Sequence, residues 1–264
     1  MNARLAASLL LLSLAAGSAE AEDRPAFTCS ETVSAQILDR VSDGEFRLAG
    51  GGSARLADIR LAPDGEAARR AAAWLGTLGG SRIQMRELAP PDRWGRAAAH
   101  LALAGTPPID IGELLVSEGL AVVDPGQRDL LCRRELLRAE ERARRSRIGL
   151  WRDGPWPIAA SALDDLARAA GSFVVVEGRI ASVGERRERT YLNFGRDWAR
   201  DFNVTIPRRS WEALKAKGIT AASLTGAVVR VRGLLEVRRA PTLDLAVPDV
   251  LEIISARTGR SGGG

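Results

Sequence analysis

Histidine and cysteine are scarce in this chain of 264 residues. There is one histidine, His100, and there are two cysteines, Cys29 and Cys132. A structural zinc site takes four ligands of these types, so these three side chains do not form one. The sequence shows no nucleophile or base that would work with His100. We therefore expect His100 to have a structural role in its alanine-rich segment.

The chain also lacks any apolar run of the ~20 residues that a membrane-spanning helix needs. Residues 5–16 are apolar, follow Arg4 and precede Ala19-Glu20-Ala21. A short positive segment, an apolar stretch and an A-x-A site are typical of a signal peptide. We expect residues 1–21 to be a signal peptide and the mature protein to be periplasmic or secreted, without a membrane span. The alternative is a buried helix at the start of a domain.

Export would change the meaning of the two cysteines. In an oxidising compartment Cys29 and Cys132 can form a disulfide. Such a bridge would close a loop of about a hundred residues and stabilise the fold by roughly 4–5 kcal/mol. Two independent buried thiols are the alternative.

A large excess of one charge is missing too. The 38 basic and 33 acidic residues give a net charge of +5, which does not predict an extended nucleic-acid-binding face. Gly50-Gly51-Gly52 lacks the lysine and the spacing of a phosphate-binding loop. The composition therefore leaves the type of ligand open.

The chain is long enough for two domains, and it contains a break between them. Gly154, Pro155 and Pro157 interrupt any helix that arrives from upstream. We predict a signal peptide over 1–21, a first domain over 28–152, a linker with a short helix over 153–170, a second domain over 171–255 and a disordered tail over 256–264.

Both predicted domains are rich in strand patterns. Alternating apolar positions and turn residues indicate the strands, and capping residues such as Asp64 indicate where helices begin. In the first domain we predict strands over 32–38, 46–48, 54–61, 82–87 and 96–103, with helices over 64–78, 109–118 and 128–147. In the second we predict strands over 173–183, 190–194, 202–206, 228–236 and 244–247, with helices over 159–169 and 211–217. The predicted fold class is mainly β with helices (α+β).

The most informative stretch of the sequence is RLADIRLAPD at residues 55–64. Asp43-Gly44-Glu45 precedes it and Asp92-Arg93-Trp94-Gly95-Arg96 follows it. Together they resemble the staphylococcal-type thermonuclease family, which has a DGD-type turn, then RLxGIDAPE, then DRYGR. The resemblance implies a five-stranded Greek-key barrel of the OB type with flanking helices. It also implies phosphodiester cleavage with one calcium ion, two phosphate-binding arginines and a glutamate that positions or deprotonates water.

The resemblance assigns roles to individual residues. Arg55 matches the first arginine and Arg96 the second, and both are catalytic candidates that would bind phosphate in bidentate fashion. Trp94 stands where the family has tyrosine. Glu45 stands for the first metal-binding aspartate and Asp43 keeps the acid before it, so these two are the residual metal candidates and Glu45 remains in the catalytic set. A solvated arginine and an Asp-Gly hairpin turn are the ordinary alternatives.

The other half of the implied metal site does not match. Without a gap the second metal-binding aspartate aligns with Arg60, and with a one-residue insertion it aligns with Leu61. Only the insertion puts an acid, Asp64, at the catalytic glutamate, and Asp64 has the alternative role of helix N-cap. Asp39 or Asp58 could fold back to complete a site.

We therefore expect a thermonuclease-like protein whose calcium-dependent phosphodiesterase activity is impaired or lost. No cofactor is expected unless calcium still binds. Arg60 would join Arg55 and Arg96 in a metal-free phosphate site for nucleic acid, another polyanion or a partner protein. One alternative is an active secreted nuclease that hydrolyses DNA or RNA with altered metal ligands. Another is a structural or assembly scaffold, and the oligomeric state stays open.

A second resemblance concerns residues 171–254. Tyr191-Leu192-Asn193-Phe194-Gly195, Asp197-Trp198 and Asp201-Phe202 resemble a YLNFGxDWxxDF pattern of OB-like domains attached to secreted nuclease-like proteins. The resemblance implies a second OB-like β-barrel without naming its ligand.

The aromatic residues of that pattern allow two uses. Trp198, Tyr191 and Phe194 could stack on bases, but we expect them to pack between strands. Nearby, Arg186, Arg187 and Arg189 form a basic hairpin tip. This tip is where we expect any polyanion contact of the second domain.

Overall fold

The computed structural model describes Cys29 and residues 32–126, 130–153 and 156–256. The predicted signal peptide and the predicted tail beyond residue 256 lie outside these residues. A disulfide joins Cys29 to Cys132, as predicted, across a separation of 103 residues. Among the described residues, no helix combines the length and the apolar character that crossing a membrane requires.

The first part of the chain forms a ring of five paired strands. Its elements are β1 (Ser34–Ser42), β2 (Glu45–Leu48), β3 (Ser53–Leu56), β4 (Ile59–Leu61), α1 (Gly65–Gly76), β5 (Arg82–Ala89), β6 (Arg96–Leu103), β7 (Ile109–Asp110), α2 (Ile111–Ser117), β8 (Ala121–Val123), α3 (Glu135–Arg145) and α4 (Leu150–Asp153). The pairing order is β1-β2-β3-β6-β5 and back to β1. Only β3 and β6 are parallel. We call this ring, with its helices, the first barrel.

Strand alternation gives the first barrel an apolar inside and a polar outside. Phe46 of β2, Ala54 of β3 and Leu101 of β6 are fully buried. Because successive residues of a strand point to opposite faces, Glu45 and Arg55, which neighbour buried residues, are turned outward. The core thus fixes which side chains reach the surface.

The strand predicted over 54–61 is two strands. Asp58 has a left-handed backbone conformation with φ of 64°, which ends the run of β3 and redirects the chain. β4 then leaves the barrel and pairs antiparallel with β8, a three-residue strand too short for periodicity to predict. Arg55 and Arg60 consequently lie in different sheets.

Helix α1 begins after Asp64, as predicted, but the cap of α1 and the start of α3 differ from prediction. Asp64 occupies the N-cap position of α1, but its side chain makes no capping hydrogen bond. Its backbone is fully extended and Gly65 follows with φ of 75°, so the carboxylate is not carried over the N–H groups of the first turn. Helix α3 begins at Glu135 instead of residue 128. Residues 127–129 lie outside the described part of the chain.

The remaining chain forms a second ring, the second barrel. Its elements are β9 (Ile158–Ala159), α5 (Leu163–Arg168), β10 (Phe173–Arg179), β11 (Ser182–Glu185), β12 (Arg189–Asn193), β13 (Asn203–Pro207), α6 (Arg208–Ala216), α7 (Ala221–Leu224), β14 (Val228–Leu234), β15 (Glu236–Val237), β16 (Pro241–Asp244) and β17 (Glu252–Ser255), with a 3₁₀ turn at Pro248–Val250 before the last strand. The strands predicted over 173–183 and 228–236 are each bent into two. The strand predicted over 244–247 lies earlier, as β16, and the helix predicted over 159–169 is shortened to α5. The elements β9, α7 and β17 were not predicted.

The two barrels have the same connectivity. In the second barrel, β10 and β11 together form the first strand, and β14 and β15 together form the fourth. The pairing order is β10/β11, β12, β13, β16 and β14/β15, and β14 pairs with β10 to close the ring. The third and fifth strands, β13 and β16, are parallel, as β3 and β6 are in the first barrel. A helix, α6, follows the third strand as predicted. The predicted fold class, mainly β with helices, is confirmed.

A buried ionic network joins the barrels. Arg232 of β14 is fully buried and donates to Glu140 of α3 at 2.7 Å and also to Glu252. Arg230, two residues earlier, donates to Glu177 at 2.7 Å and to Glu141 of α3 at 3.1 Å. Burial alone would lower the pKa of Arg232, but Glu140 and Glu252 raise it. Charged pairs therefore cross the seam between the barrels, beside an apolar cluster in which Val122 and Trp151 pack with Val175.

Candidate functional site

Glu45 and Arg55 stand directly opposite each other on β2 and β3. Side chains at such positions are about 5 Å apart at their Cβ atoms. Arg55 is exposed, whereas Glu45 is half-buried and lies 3.7 Å from the guanidinium of Arg47. The structure therefore brings an acid and an arginine of the predicted site together on the outside of the first barrel.

Arg96 begins β6, the strand that runs parallel to β3. Ser53 of β3 is its partner, two residues before Arg55, so Arg55 and Arg96 lie on neighbouring strands. Asp92 binds the Arg96 guanidinium through two hydrogen bonds of 2.9 and 2.8 Å. This hydrogen bonding, with lesser help from the backbone N–H groups of Arg96 and Trp94, lowers the pKa of Asp92 to about 2.

Trp94 projects from the same turn with 61% of its surface exposed. The guanidinium carbon of Arg93 is 3.8 Å from its ring centroid and that of Arg96 is 4.6 Å away. Cation–π contacts at this distance orient both cations around the ring. Trp94 and Glu45 line one shallow cleft of about 580 Å³, so this turn and the Glu45–Arg55 pair belong to one surface.

Part of the first barrel is similar to a known protein family. Residues 63–153 match the family model described as Staphylococcal nuclease homologue. The match supports a thermonuclease-type domain in the first barrel. It includes the turn with Asp92 and Arg96 but begins after Glu45, Arg55 and Arg60. No curated protein matches the chain.

Arg60 of the first barrel lies away from the other two arginines. Its Nε donates to Asp124 at 2.8 Å, and its guanidinium carbon is 5.0 Å from the ring centroid of Phe173 in the second barrel. It sits on β4, outside the sheet that carries Arg55 and Arg96. These contacts place Arg60 at the seam between the barrels. The prediction that Arg60 joins Arg55 and Arg96 in one phosphate site is therefore wrong.

Leu61 follows Arg60 and packs against the Asp43-Gly44-Glu45 turn. A Cβ atom placed on Gly44 would be 3.2 Å from Cδ1 of Leu61. An apolar methyl group therefore lies at the turn where the family has metal-binding oxygens. Asp39 lines the same cleft as Glu45. Within the part of the chain that the structure describes, no three His, Cys, Asp or Glu side chains are grouped as metal ligands.

Asp64 does not line the cleft of Glu45 and Trp94 but a different one, of about 490 Å³, between the barrels. Arg60, Trp156 and Phe173 also line that cleft. Trp156 and Phe173 stack with ring centroids 6.3 Å apart. The structure therefore puts the candidate base with the interdomain residues and not with Arg55 and Glu45.

Sequence reasoning missed the partner of His100. The His100 Nε2 atom lies 2.9 Å from the buried carboxylate of Asp58, which also accepts from the backbone N–H of Arg133 at 3.1 Å. Burial, and then the charge of Arg133, lower the pKa of His100 to about 4. Asp58 thus supports His100 and the segment after Cys132, and it does not fold back toward Glu45. Nothing local could reveal a pair 42 residues apart.

The aromatic residues of the second barrel divide between core and surface. Phe194 packs on Phe202 with ring centroids 4.9 Å apart, as expected. Trp198, by contrast, is 70% exposed and Tyr191 is 37% exposed, so the expectation that they pack between strands is wrong. Trp198 lies on a loop and not on a strand, which is why strand packing does not cover it.

In the predicted basic tip of the second barrel, one of the three arginines is already hydrogen-bonded within the barrel. Arg189 donates to Asp244 at 2.9 Å and to Thr205 at 3.2 Å. Arg187 lies 3.4 Å from Glu188, and both side chains are exposed. Exposed pairs of this kind contribute little to stability.

Proposed function

We propose that this protein is an exported, thermonuclease-type protein that binds nucleic acid and has lost calcium-dependent phosphodiesterase activity. The observation that carries the proposal is the contact of Leu61 with Gly44. The matched nuclease-homologue model supports nucleic acid as the ligand class. The Cys29–Cys132 disulfide supports export, because such bridges persist in oxidising compartments.

Calcium needs six to eight oxygen ligands, several of them carboxylates. At this turn Asp43 and Glu45 are the remaining acids, and Leu61 contributes a methyl group instead of an oxygen. Arg60, the other candidate for the second metal position, brings a positive charge that Asp124 holds. The residues present do not fit a calcium ion, so we do not propose calcium-dependent hydrolysis of phosphodiesters.

Phosphate binding does not need the metal. Guanidinium groups bind phosphate oxygens in bidentate geometry, and Arg55 offers an exposed one beside Arg96. Asp92 engages one edge of Arg96, but an arginine has five N–H donors. The outer face of β3 and β6 therefore supports a metal-free contact with a phosphate backbone.

Cleavage and binding can be tested separately on the purified protein. We expect plasmid DNA and RNA to stay intact with millimolar calcium as well as with EDTA, while a labelled 12-mer of deoxythymidine binds in fluorescence anisotropy. Arg55→Ala with Arg96→Ala should weaken that binding, and Arg145→Ala with Arg168→Ala, two exposed arginines elsewhere, should not. Calcium-dependent digestion that Arg55→Ala abolishes would establish the alternative, an active nuclease with altered metal ligands.

Export is tested by cell fractionation. The expected result is that the protein appears in the periplasmic or secreted fraction with Cys29 and Cys132 resistant to thiol-alkylating reagents. Recovery in the cytoplasmic fraction with two free thiols would refute this part of the proposal.

A further inference from the structure

The most exposed large apolar side chain of the second barrel belongs to Trp198, on the loop over residues 194–202 between β12 and β13. The loop is closed at its base, where Phe194 N–H donates to the carbonyl of Phe202 at 3.1 Å. Asp201 accepts from the N–H of Asp197 at 2.9 Å, and Asp197 accepts from the N–H of Ala199 at 3.1 Å. Both carboxylates thus hold the loop in the shape that presents the indole ring.

Gly195 shows how closely this loop is packed. A Cβ atom there would come within 1.9 Å of the Asp201 carboxylate, so any other residue would force the carboxylate away. The exposure of Trp198 is therefore a property of an ordered loop, fixed by Gly195 and Asp201. An exposed indole on an ordered support carries a small entropy cost when a flat ligand stacks on it.

The sheet next to this loop presents a second exposed ring. Tyr191 of β12 lies between Gly184 of β11 and Thr205 of β13. Nothing lies within 4 Å of a Cβ atom built on Gly184, so the ring is uncovered on that side. Asn193 and Asn203 continue the same outward face toward the Trp198 loop. The centre of this face is polar, and its two charged groups, Arg189 and Asp244, pair with each other beside Thr205.

Arginines surround the face at both ends. Arg196 and Arg200 flank Trp198 on its loop. Because β13 and β16 are parallel and pair Asn203 with Thr242, the loop before β16, with Arg238 and Arg239, lies at the same end. Arg186 and Arg187 lie at the opposite end, before β12.

The acids near these arginines hold them weakly. Arg200 lies 3.9 Å from Asp197, and Arg238 lies 3.7 Å from Glu236. The side chains of both arginines are more than 80% exposed, so water and salt screen these pairs. An anionic backbone can therefore engage both guanidinium groups.

We propose that this face of the second barrel, consisting of the outer sides of β11, β12 and β13 and the Trp198 loop, binds single-stranded nucleic acid. Bases stack on Trp198 and Tyr191, and phosphates follow the arginines at the ends of the face. Stacking of this kind requires unpaired bases, which excludes an intact duplex as the preferred ligand. The inference rests on the proposed nucleic-acid function and names a surface that is separate from Arg55 and Arg96.

The face also leads toward the thermonuclease-type domain. Thr205, Thr242 and Asp244 line a cleft of about 470 Å³ whose other wall includes Arg60 and Asp124 of the first barrel. A strand that crosses the face along β13 and β16 therefore reaches the seam between the barrels. The two barrels would in this way share one bound strand.

The test is anisotropy with three probes, a 12-mer of deoxythymidine, a 12-mer of deoxyadenosine and a 12-base-pair duplex. Trp198→Ala should weaken binding of the single strands by about 5- to 150-fold, as the loss of one stacking contact does. Trp198→Phe should retain most of the affinity because a ring remains. Ile254→Ala, another exposed apolar residue on β17, is the matched control and should bind as the wild type does.

Salt dependence separates stacking from phosphate contacts. Trp198→Ala should leave the slope of log affinity against log salt unchanged, whereas Arg196→Ala with Arg200→Ala should reduce its magnitude by up to about 1.4. Near-ultraviolet circular dichroism checks that each variant is folded.

Three outcomes would overturn the inference. In the first, Trp198→Ala and Tyr191→Ala bind the single strands as tightly as the wild type, while the double variant Arg55→Ala with Arg96→Ala binds them more weakly. The proposed function would then stand, and this face would not be the binding site. Tighter binding of the duplex than of either single strand would also refute the stacking surface. If the wild type binds none of the probes, both proposals fail and an acidic protein becomes the ligand to test.

Discussion

Arg232 of the second barrel donates to Glu140 of the first barrel at 2.7 Å, and both side chains are buried. The Glu140 carboxylate also accepts from the backbone N–H of Val123 at 2.6 Å. One carboxylate thus links α3, β8 and β14. Removing either Arg232 or Glu140 would therefore leave the other as an uncompensated buried charge.

We expect Arg232→Met to destabilise the protein by about 3–5 kcal/mol, because it leaves the buried Glu140 without its cation and takes one of two cations from Glu252. Chemical denaturation, followed by both far- and near-ultraviolet circular dichroism, measures the loss. Arg238→Met, at an exposed arginine, should change stability by less than about 0.5 kcal/mol. Equal stabilities of the two variants would show that the buried pair does not hold the seam.

A second prediction concerns pH. The pKa of His100 falls from 6.5 to about 4 on folding, so the unfolded chain binds the proton first as pH decreases. Stability is therefore full above about pH 6.5 and is lost as pH falls toward 4, by an amount on the order of 3 kcal/mol. His100→Gln keeps a donor toward Asp58 without titrating, and urea unfolding at pH 7, 6 and 5 should show a flatter profile for it. Parallel profiles for the two proteins would contradict the assignment.

A third prediction concerns calcium. Leu61→Asp adds a carboxylate beside Asp43 and Glu45, so we expect calcium binding with a Kd on the order of 10⁻⁴–10⁻³ M. Isothermal titration calorimetry or terbium luminescence measures it. Leu56→Asp introduces the same charge on β3 and should bind no calcium in this range. Calcium binding by the unchanged protein at least as tight as that of Leu61→Asp would overturn the proposal that the site is lost.

A fourth prediction concerns the Asp92–Arg96 pair. Asp92→Asn removes the carboxylate that engages the Arg96 guanidinium while an amide oxygen can still accept from the turn. We expect single-stranded DNA to bind a few-fold more tightly, with a steeper salt dependence, because one more cation is available to phosphate. Glu66→Gln makes the same change in charge on α1, beside Arg69, and is the matched control. An affinity increase of the same size in both variants would point to net charge alone.

Much of the fold follows from local pattern in the sequence. The strand over Arg96–Leu103 has the predicted bounds, because its alternation is unbroken and a turn precedes it. The predicted helix after the third strand is present in both barrels, since turn residues and apolar spacing mark it locally. Where a strand bends, the sequence pattern predicts one long strand instead of two. The alternation of apolar residues continues through residues such as Ile180 and Leu235 whether or not the chain turns there.

The candidate site was harder to predict because its contacts are distant in sequence. The Asp58–His100 and Arg232–Glu140 pairs join residues 42 and 92 positions apart, and no local periodicity reports such distances. Arg60 was predicted to join Arg55 because it aligns, without a gap, with the second metal-binding aspartate of the family, yet the left-handed Asp58 sends the two arginines to different sheets. Family motifs indicate a segment of the chain but not the direction in which its side chains point.

The contact of Arg60 with Phe173 has a consequence for substitutions at position 60. An acid there would remove the cation that rests on the second barrel, and it would place two carboxylates, its own and that of Asp124, side by side. The second barrel therefore constrains the identity of a residue that lies on a strand of the first.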